Sequence, residues 1–229
     1  MCYISKVFDS LLSLKDLIYP RFCLSCHRYG DFICLECEAL WLAKPRKTKV
    51  LGIDHFFTED YNENSTRVIL AAKESGNKVA VKLLANAIAR SIKFAVLEKK
   101  FEGQLNLVTI PSQKNTIRSR GRNHISDLAS QVVIVLSNMS LTAKYFPLLG
   151  LAKKSKDQSN LNSRERLVNM KNAFIVNNSL NSQDGIFLID DLITTGASIM
   201  EGVRAVGEAK ITVNGIITAC AVGRNSLIR

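Results

Sequence analysis

The stretch GIFLIDDLITTGAS, residues 185–198, restricts the architecture more than any other part of this 229-residue chain. Ile186, Phe187, Leu188 and Ile189 form an unbroken apolar run. Such a run reads as a strand buried on both faces, which places it inside a parallel sheet. Two adjacent acids follow, Asp190 and Asp191, and then Thr194-Thr195-Gly196. They would sit at the sheet's carboxyl edge, where open α/β folds bind their ligands. A helix is expected to begin near Ala197 or Ser198. The loop 190–196 and the first helical turn would then offer unpaired N–H groups, the hydroxyls of Thr194, Thr195 and Ser198, and the positive end of a helix dipole, a pocket suited to a phosphate monoester. Gly196 allows the backbone to come close and to adopt angles that other residues resist. The two acids cannot serve that phosphate, because like charges repel. They can accept hydrogen bonds from the vicinal hydroxyls of an attached ribose, and Mg2+ nearby would lower the cost of two neighbouring anions. The pattern reads as a ribose 5-phosphate site.

The rest of the larger unit, from about residue 50 to 229, alternates strand and helix. Strands are expected at 53–61, 105–111, 145–151, 173–176, 186–189 and 211–222. Helices are expected over 64–100, divided into two by Gly76, over 125–138 and over 198–208. Residues 112–123 and the polar stretch to about 165 read as loops. This order predicts an α/β fold with a doubly wound parallel sheet.

Ahead of it lies a smaller unit, residues 1–43. Val7, Leu11, Leu14 and Ile18 recur at helical spacing, which predicts a short amphipathic helix that docks on the protein's own core or rests on a membrane surface. Next come Cys23-x2-Cys26 and Cys34-x2-Cys37, whose spacing is that of a four-thiolate zinc site. A module this small cannot bury enough apolar surface to fold without its metal. With four protein ligands and no open position the zinc is structural, and the adjacent His27 reads as solvated. Cys220, within an apolar run, reads as core. The basic stretch KPRKTK (44–49) reads as a connector between the two units.

Charge is unevenly spread. Residues 106–175 hold 11 of the 31 Lys and Arg and 3 of the 20 Asp and Glu, so 8 of the net 11 positive charges fall there (11 less 3). Such a segment suits a polyanion or a phosphorylated ligand, or else a solvated surface. No apolar run reaches the roughly 18 residues of a membrane helix, and no signal-peptide pattern opens the chain, which favours a cytoplasmic setting.

The segment Ile186–Ser198 resembles the phosphoribosyl pyrophosphate (PRPP) signature of type I phosphoribosyltransferases. Three further stretches resemble the ComF/ComFC family of competence proteins: VTIPSQKNTIRSRGRNHIS (108–126), DQSNLNSRERLVNMKNAFIV (157–176), and a cysteine module followed by a helix carrying Lys73 and Gly76. Arg122 and His124 stand where that family commonly has Phe and Gln.

The resemblance implies a type I phosphoribosyltransferase fold with a small N-terminal zinc module. It also implies that Asp190 and Asp191 hold the ribose hydroxyls of PRPP while Thr194, Thr195, Gly196, Ala197 and Ser198 cradle the 5-phosphate. Pyrophosphate, with Mg2+, would meet Ser112, Gln113 and Lys114, with Arg118 and Arg120 behind. A loop over 153–166, rich in Lys153, Lys154, Lys156, Arg164 and Arg166, would close over the ligand. Two functions follow. One is DNA uptake in natural transformation, with single-stranded DNA on the basic surface formed by Arg118, Arg120, Arg122 and the 153–166 cations. Phe22, Tyr29, Phe32 and Trp41 would stack bases or form the module's small core, and the uptake machinery at the inner face of the membrane would be a partner. The other is an active phosphoribosyltransferase of nucleotide salvage or related metabolism, with Asp190 and Asp191 as its catalytic acids.

Overall fold

The structure, a computed structural model, describes residues 20–152, 170–177 and 185–222. The amphipathic segment 3–18 and the basic stretch 153–166 lie outside the described residues.

The central sheet holds β1 (Arg46–Val50), β2 (Ile53–Phe57), β3 (Glu59–Asp60), β4 (Leu105–Thr109), β5 (Ala143–Tyr145), β8 (Ile186–Ile193) and β9 (Val213–Ala221). Its order is β1-β2-β9-β8-β4-β5, with β3 also pairing β9. Every neighbouring pair is parallel except the β1–β2 hairpin. A second, two-stranded antiparallel sheet joins β6 (Leu149–Leu151) to β7 (Phe174–Val176). The helices are α1 (Leu35–Trp41), α2 (Glu63–Lys73), α3 (Lys78–Lys99), α4 (Lys114–Arg120), α5 (His124–Asn138) and α6 (Ala197–Glu208).

Successive residues of β8 feed two separate cores, as alternation along a strand requires. Phe187 and Ile189 pack with α2, α3 and α5 on one face, in a cluster that includes Leu84, Ile88, Ile92, Val132 and Leu136. Ile186 and Leu188 pack with Ile199, Ala205 and Val206 of α6, and with Leu149 and Phe174 of the small sheet, on the other. With helices on both faces, the architecture is the expected α/β fold with a mostly parallel, doubly wound sheet.

Gly76 does separate two helices. Asn62 and Ser65 form a reciprocal capping box at the start of α2, with Ser65 N–H donating to Asn62 Oδ1 at 2.9 Å, and Asn77 caps α3. At Gly76, φ is +64°, and a Cβ there would lie 2.9 Å from Arg122 Cζ, so the turn needs glycine for both its angle and its space.

Four expectations are corrected. The stretch 44–49 is largely strand β1, because the cations that made it read as a connector are matched across the hairpin and beyond: Arg46 with Asp60 at 2.7 Å, and Lys47 with Glu98 and Asp54. The expected loop 112–123 contains helix α4. The single strand expected over 145–151 is two short strands in different sheets, because Pro147 between them has no N–H to donate to a ladder. Finally, β8 does not stop at Ile189. It runs to Ile193 because β9 continues beside it, pairing Asp190 with Thr218, Leu192 with Cys220 and Ile193 with Ala221.

Candidate functional site

From β4 the chain runs through α4 and α5 to β5 at one edge, whereas from β8 it crosses by α6 to β9 on the opposite side. The carboxyl ends of β4 and β8 therefore flank a topological switch point, the place where an open α/β sheet leaves a crevice. The two ends are tied together: Ile110 N–H donates to Ile189 O at 3.3 Å.

On the α6 side, Asp190, Leu192, Ile193, Thr194, Thr195, Gly196, Ala197, Ser198 and Ile199 line a small cavity of about 50 Å³. Gly196, at φ +76°, caps α6, and Ala197 N–H reaches Thr195 Oγ1 at 3.5 Å. The remaining N–H groups of the first turn and the positive helix end make this an anion-accepting terminus, with hydroxyls from Thr194, Thr195 and Ser198 around it. Behind it, Gly202 brings α6 so close to β4 that an added Cβ would lie 2.8 Å from Ile110 Cδ1. Ser112 and Gln113 follow β4 half-buried, and Lys114 is exposed at the start of α4.

The structure separates the two acids. Asp190 is half-buried and lines the cavity, with Oδ1 accepting the N–H of Asp191 at 2.9 Å. Asp191 is 2% exposed and does not line it. Lys73 at the end of α2 donates to Asp191 Oδ1 at 3.2 Å and lies 2.9 Å from Oδ2, outside the hydrogen-bonding direction of that oxygen. His124 Nε2 at the start of α5 is 3.4 Å from the same oxygen. Burial opposes ionisation of Asp191, but Lys73 and His124 outweigh it and hold the carboxyl well below the usual range. Burial and the charge of Asp191 push Asp190 the other way, up. Burial works against the Lys73 ammonium, and Asp191 with Asp190 more than offsets it.

Two of the arginines read as nucleic-acid contacts face inward. Arg120 is held by both oxygens of Glu74, at 2.7 and 2.9 Å, and its Nη1 lies 3.4 Å from His124 Nδ1. Arg122 Nη2 donates to the carbonyls of Ala72 and Lys73, satisfying the open end of α2, and its Nη1 meets Asp127 at 3.2 Å. Arg118 is exposed. Lys153, Lys154, Lys156, Arg164 and Arg166 lie outside the described residues.

Lys73 and His124 are the site residues that sequence reasoning did not assign. Strand alternation carries the signal: once β8 extends past Ile189, adjacent Asp190 and Asp191 start toward opposite faces, and the second needs partners from the α2–α5 side.

Cys23, Cys26, Cys34 and Cys37 come together with all four sulfurs within 4.8 Å of one another. Cys26 and Cys34 are 3.7 Å apart, close to the roughly 3.8 Å edge of a tetrahedron with Zn–S of about 2.3 Å. Cys34 N–H donates to Cys23 Sγ at 3.5 Å, and Cys37 lies in the first turn of α1, where burial pushes its thiol up to about 12. Burial resists ionisation of Cys23, but the backbone groups of Cys26, Cys34 and Ser25 outweigh it and bring the thiol to about 6. The donor set fits a metal ion that prefers four sulfurs, and could hold zinc. His27 is exposed and stands outside the cluster, as expected. Cys220 is fully buried in the core, also as expected. The module is joined to the larger unit by Arg67 of α2, which donates to Ser25 O at 2.8 Å, and by Trp41, 1% exposed in the core beside α3. Of the four aromatics, Trp41 is thus core, whereas Phe22, Tyr29 and Phe32 are exposed. Among the described residues no helix is long and apolar enough to cross a membrane.

No protein-family model matches the chain, and no curated protein sequence is similar to it. Among solved structures, it is similar to a glutamine mutant made to analyse an invariant aspartic acid in HPRTs, at 10% identity over 69% of this chain and 73% of that one, with a TM-score of 0.39. It is similar to a hypoxanthine phosphoribosyltransferase from Staphylococcus aureus at 12% identity over 61% of this chain and 64% of that one, TM-score 0.30. A third is an adenine phosphoribosyl transferase from Trypanosoma brucei in complex with AMP, pyrophosphate and ribose-5-phosphate, at 9% identity over 80% of this chain and 91% of that one, TM-score 0.40.

Proposed function

We propose that this chain binds PRPP in the crevice between β4 and β8 and serves DNA uptake in natural transformation, as a protein of the ComF/ComFC kind. One observation carries the ligand reading: Asp190 and the Thr194–Ser198 turn line one cavity at the N-terminus of α6, beside a topological switch point. The 5-phosphate would be held by the N–H groups of the first turn of α6 and by the hydroxyls of Thr194, Thr195 and Ser198. A carboxyl oxygen of Asp190 would accept from a ribose hydroxyl. The diphosphate would lie toward Ser112, Gln113 and Lys114, and Mg2+ would enter with it as its counter-ion. Zinc in the four-cysteine cluster would be structural, because four thiolates leave no position open for water.

Single-stranded DNA would use the exposed cation Arg118 and the exposed rings of Phe22, Tyr29 and Phe32 on the cysteine module. Backbone contacts and base stacking of this kind give steeply salt-dependent binding.

Calorimetric titration with PRPP and Mg2+ tests the first part. Wild-type protein should give heat, and Asp190→Asn should lose most of it; silence from the wild type would defeat the reading. Oligonucleotide titration at rising salt tests the second, and absence of a complex at low salt would remove DNA from the proposal.

A further inference from the structure

Lys73, Asp191, His124, Arg120 and Glu74 form a closed ring of contacts. Lys73 meets both oxygens of Asp191, His124 Nε2 faces Oδ2, Arg120 Nη1 faces His124 Nδ1, and Glu74 grips Arg120 through two bonds. Glu74 follows Lys73 in the chain, which closes the ring. A guanidinium only donates, so His124 Nδ1 is the acceptor and the ring proton sits on Nε2, directed at Asp191. His124 is thus fixed by a second tie, through Arg120. Asp190, by contrast, lines the cavity of the Thr194–Ser198 turn.

We infer that Lys73 and His124 are positioning residues that hold Asp191 as a buried counter-ion, and that Asp190 alone of the acid pair meets the ligand. The inference rests on the ribose-phosphate reading above and goes beyond it, because it divides two adjacent acids into different tasks. A sugar hydroxyl could reach the 2%-exposed Asp191 only by displacing Lys73, its cation, or His124, its N–H donor, and leaving that partner unmatched. Asp190 carries no such commitment.

Calorimetry with PRPP and Mg2+ on a set of variants separates the tasks. Asp190→Asn should weaken binding by about 100-fold, and Asp191→Asn and Lys73→Met by about 10-fold each, since each of the latter leaves one buried charge unmatched. The double variant Lys73→Met/Asp191→Asn should return to within about threefold of wild type, because cation and anion leave together and the new amide oxygen still accepts from His124 Nε2–H. A well-folded double variant that stays as weak as Asp191→Asn would show that Asp191 touches the ligand itself and would overturn the inference. A second measurement needs no stability from the variants. Nitrogen-15 spectra of the wild-type histidine side chains, assigned with His124→Gln, should show the Nε2–H tautomer at His124 and no change on saturation with PRPP. A marked shift of the ring nitrogens would mean that the ligand takes Asp191 away, and would sink the proposal. No heat from the wild type overturns the ribose-phosphate reading, and this inference with it. Heat from the wild type with either adverse result overturns this inference alone.

Discussion

Replacing His55 by leucine should make the protein resist acid better. His55 lies in β2, fully buried, stacked on Phe57 with ring centroids 5.1 Å apart. Thr218 Oγ1 donates its proton to Cys220 O at 2.8 Å, so the 2.9 Å contact between Thr218 and His55 must be donated by the ring's Nε2–H. Among the described residues Nδ1 is then a bare acceptor with no hydrogen-bond partner. Burial disfavours the charged ring and brings its pKa from 6.5 down to about 4. The sign follows directly. Above about pH 6.5 neither folded nor unfolded chain holds the proton, and the group's contribution is intact. As pH falls from 6.5 towards 4 the unfolded chain binds a proton that the folded one refuses, and stability is lost at about 1.4 kcal/mol per pH unit. At about pH 5 the loss is about 2 kcal/mol. His55→Leu removes that loss. At about pH 7.5 it should stay within about 1 kcal/mol of wild type, since it deprives Thr218 of one donor and also removes the orphaned Nδ1. Urea unfolding can be followed by the emission of Trp41, the chain's one tryptophan, which is buried. Other acid-sensitive groups act equally in both proteins and cancel in the difference. Equal losses in wild type and His55→Leu between the two pH values would refute the reasoning.

Cys26→Ser should lower bound zinc from about one ion per chain to well below it, read with a colorimetric chelator after denaturation, because three thiolates hold the ion far less tightly than four. Gly196→Val should cost about 1–3 kcal/mol in urea unfolding, because φ there is +76°, and should also weaken PRPP binding, because the branched side chain crowds the turn. Arg204→Met should cost about 3 kcal/mol in the same assay, because Glu201 is 5% exposed and Arg204 is its cation at 2.7 Å; adding Glu201→Met should recover much of the loss.

The elements that sequence reasoning located are those whose signal is local. The apolar run 186–189, the glycine at 76 and the paired Cys-x-x-Cys spacings each state their structure within a few residues. Those that escaped it depend on partners far along the chain. Asp190 and Asp191 are poor strand formers, yet β9 holds them in a ladder through Thr218 and Cys220. The stretch KNTIRSR shows no apolar stripe, and its neighbourhood is fixed instead by Arg120 on Glu74 and Arg122 on the end of α2, contacts spanning 46 and 49–50 residues. Strand β1 looked like a linker because its cations find their anions on β2, β3 and α3. At the site the turn 194–198 was legible, since hydroxyls, glycine and helix start are contiguous. Lys73 stands 118 residues from Asp191, and no local pattern could join them.

Trp41 ends the short helix that carries Cys37 and is capped by Cys34, yet its indole is walled in by the larger unit's own side chains. A shortened chain starting after it would open a void the size of that ring beside α3, so the small N-terminal piece is not a detachable tag. Removing it would loosen the body it was meant to leave behind, and any swap of this module between relatives would have to carry the tryptophan and its socket together.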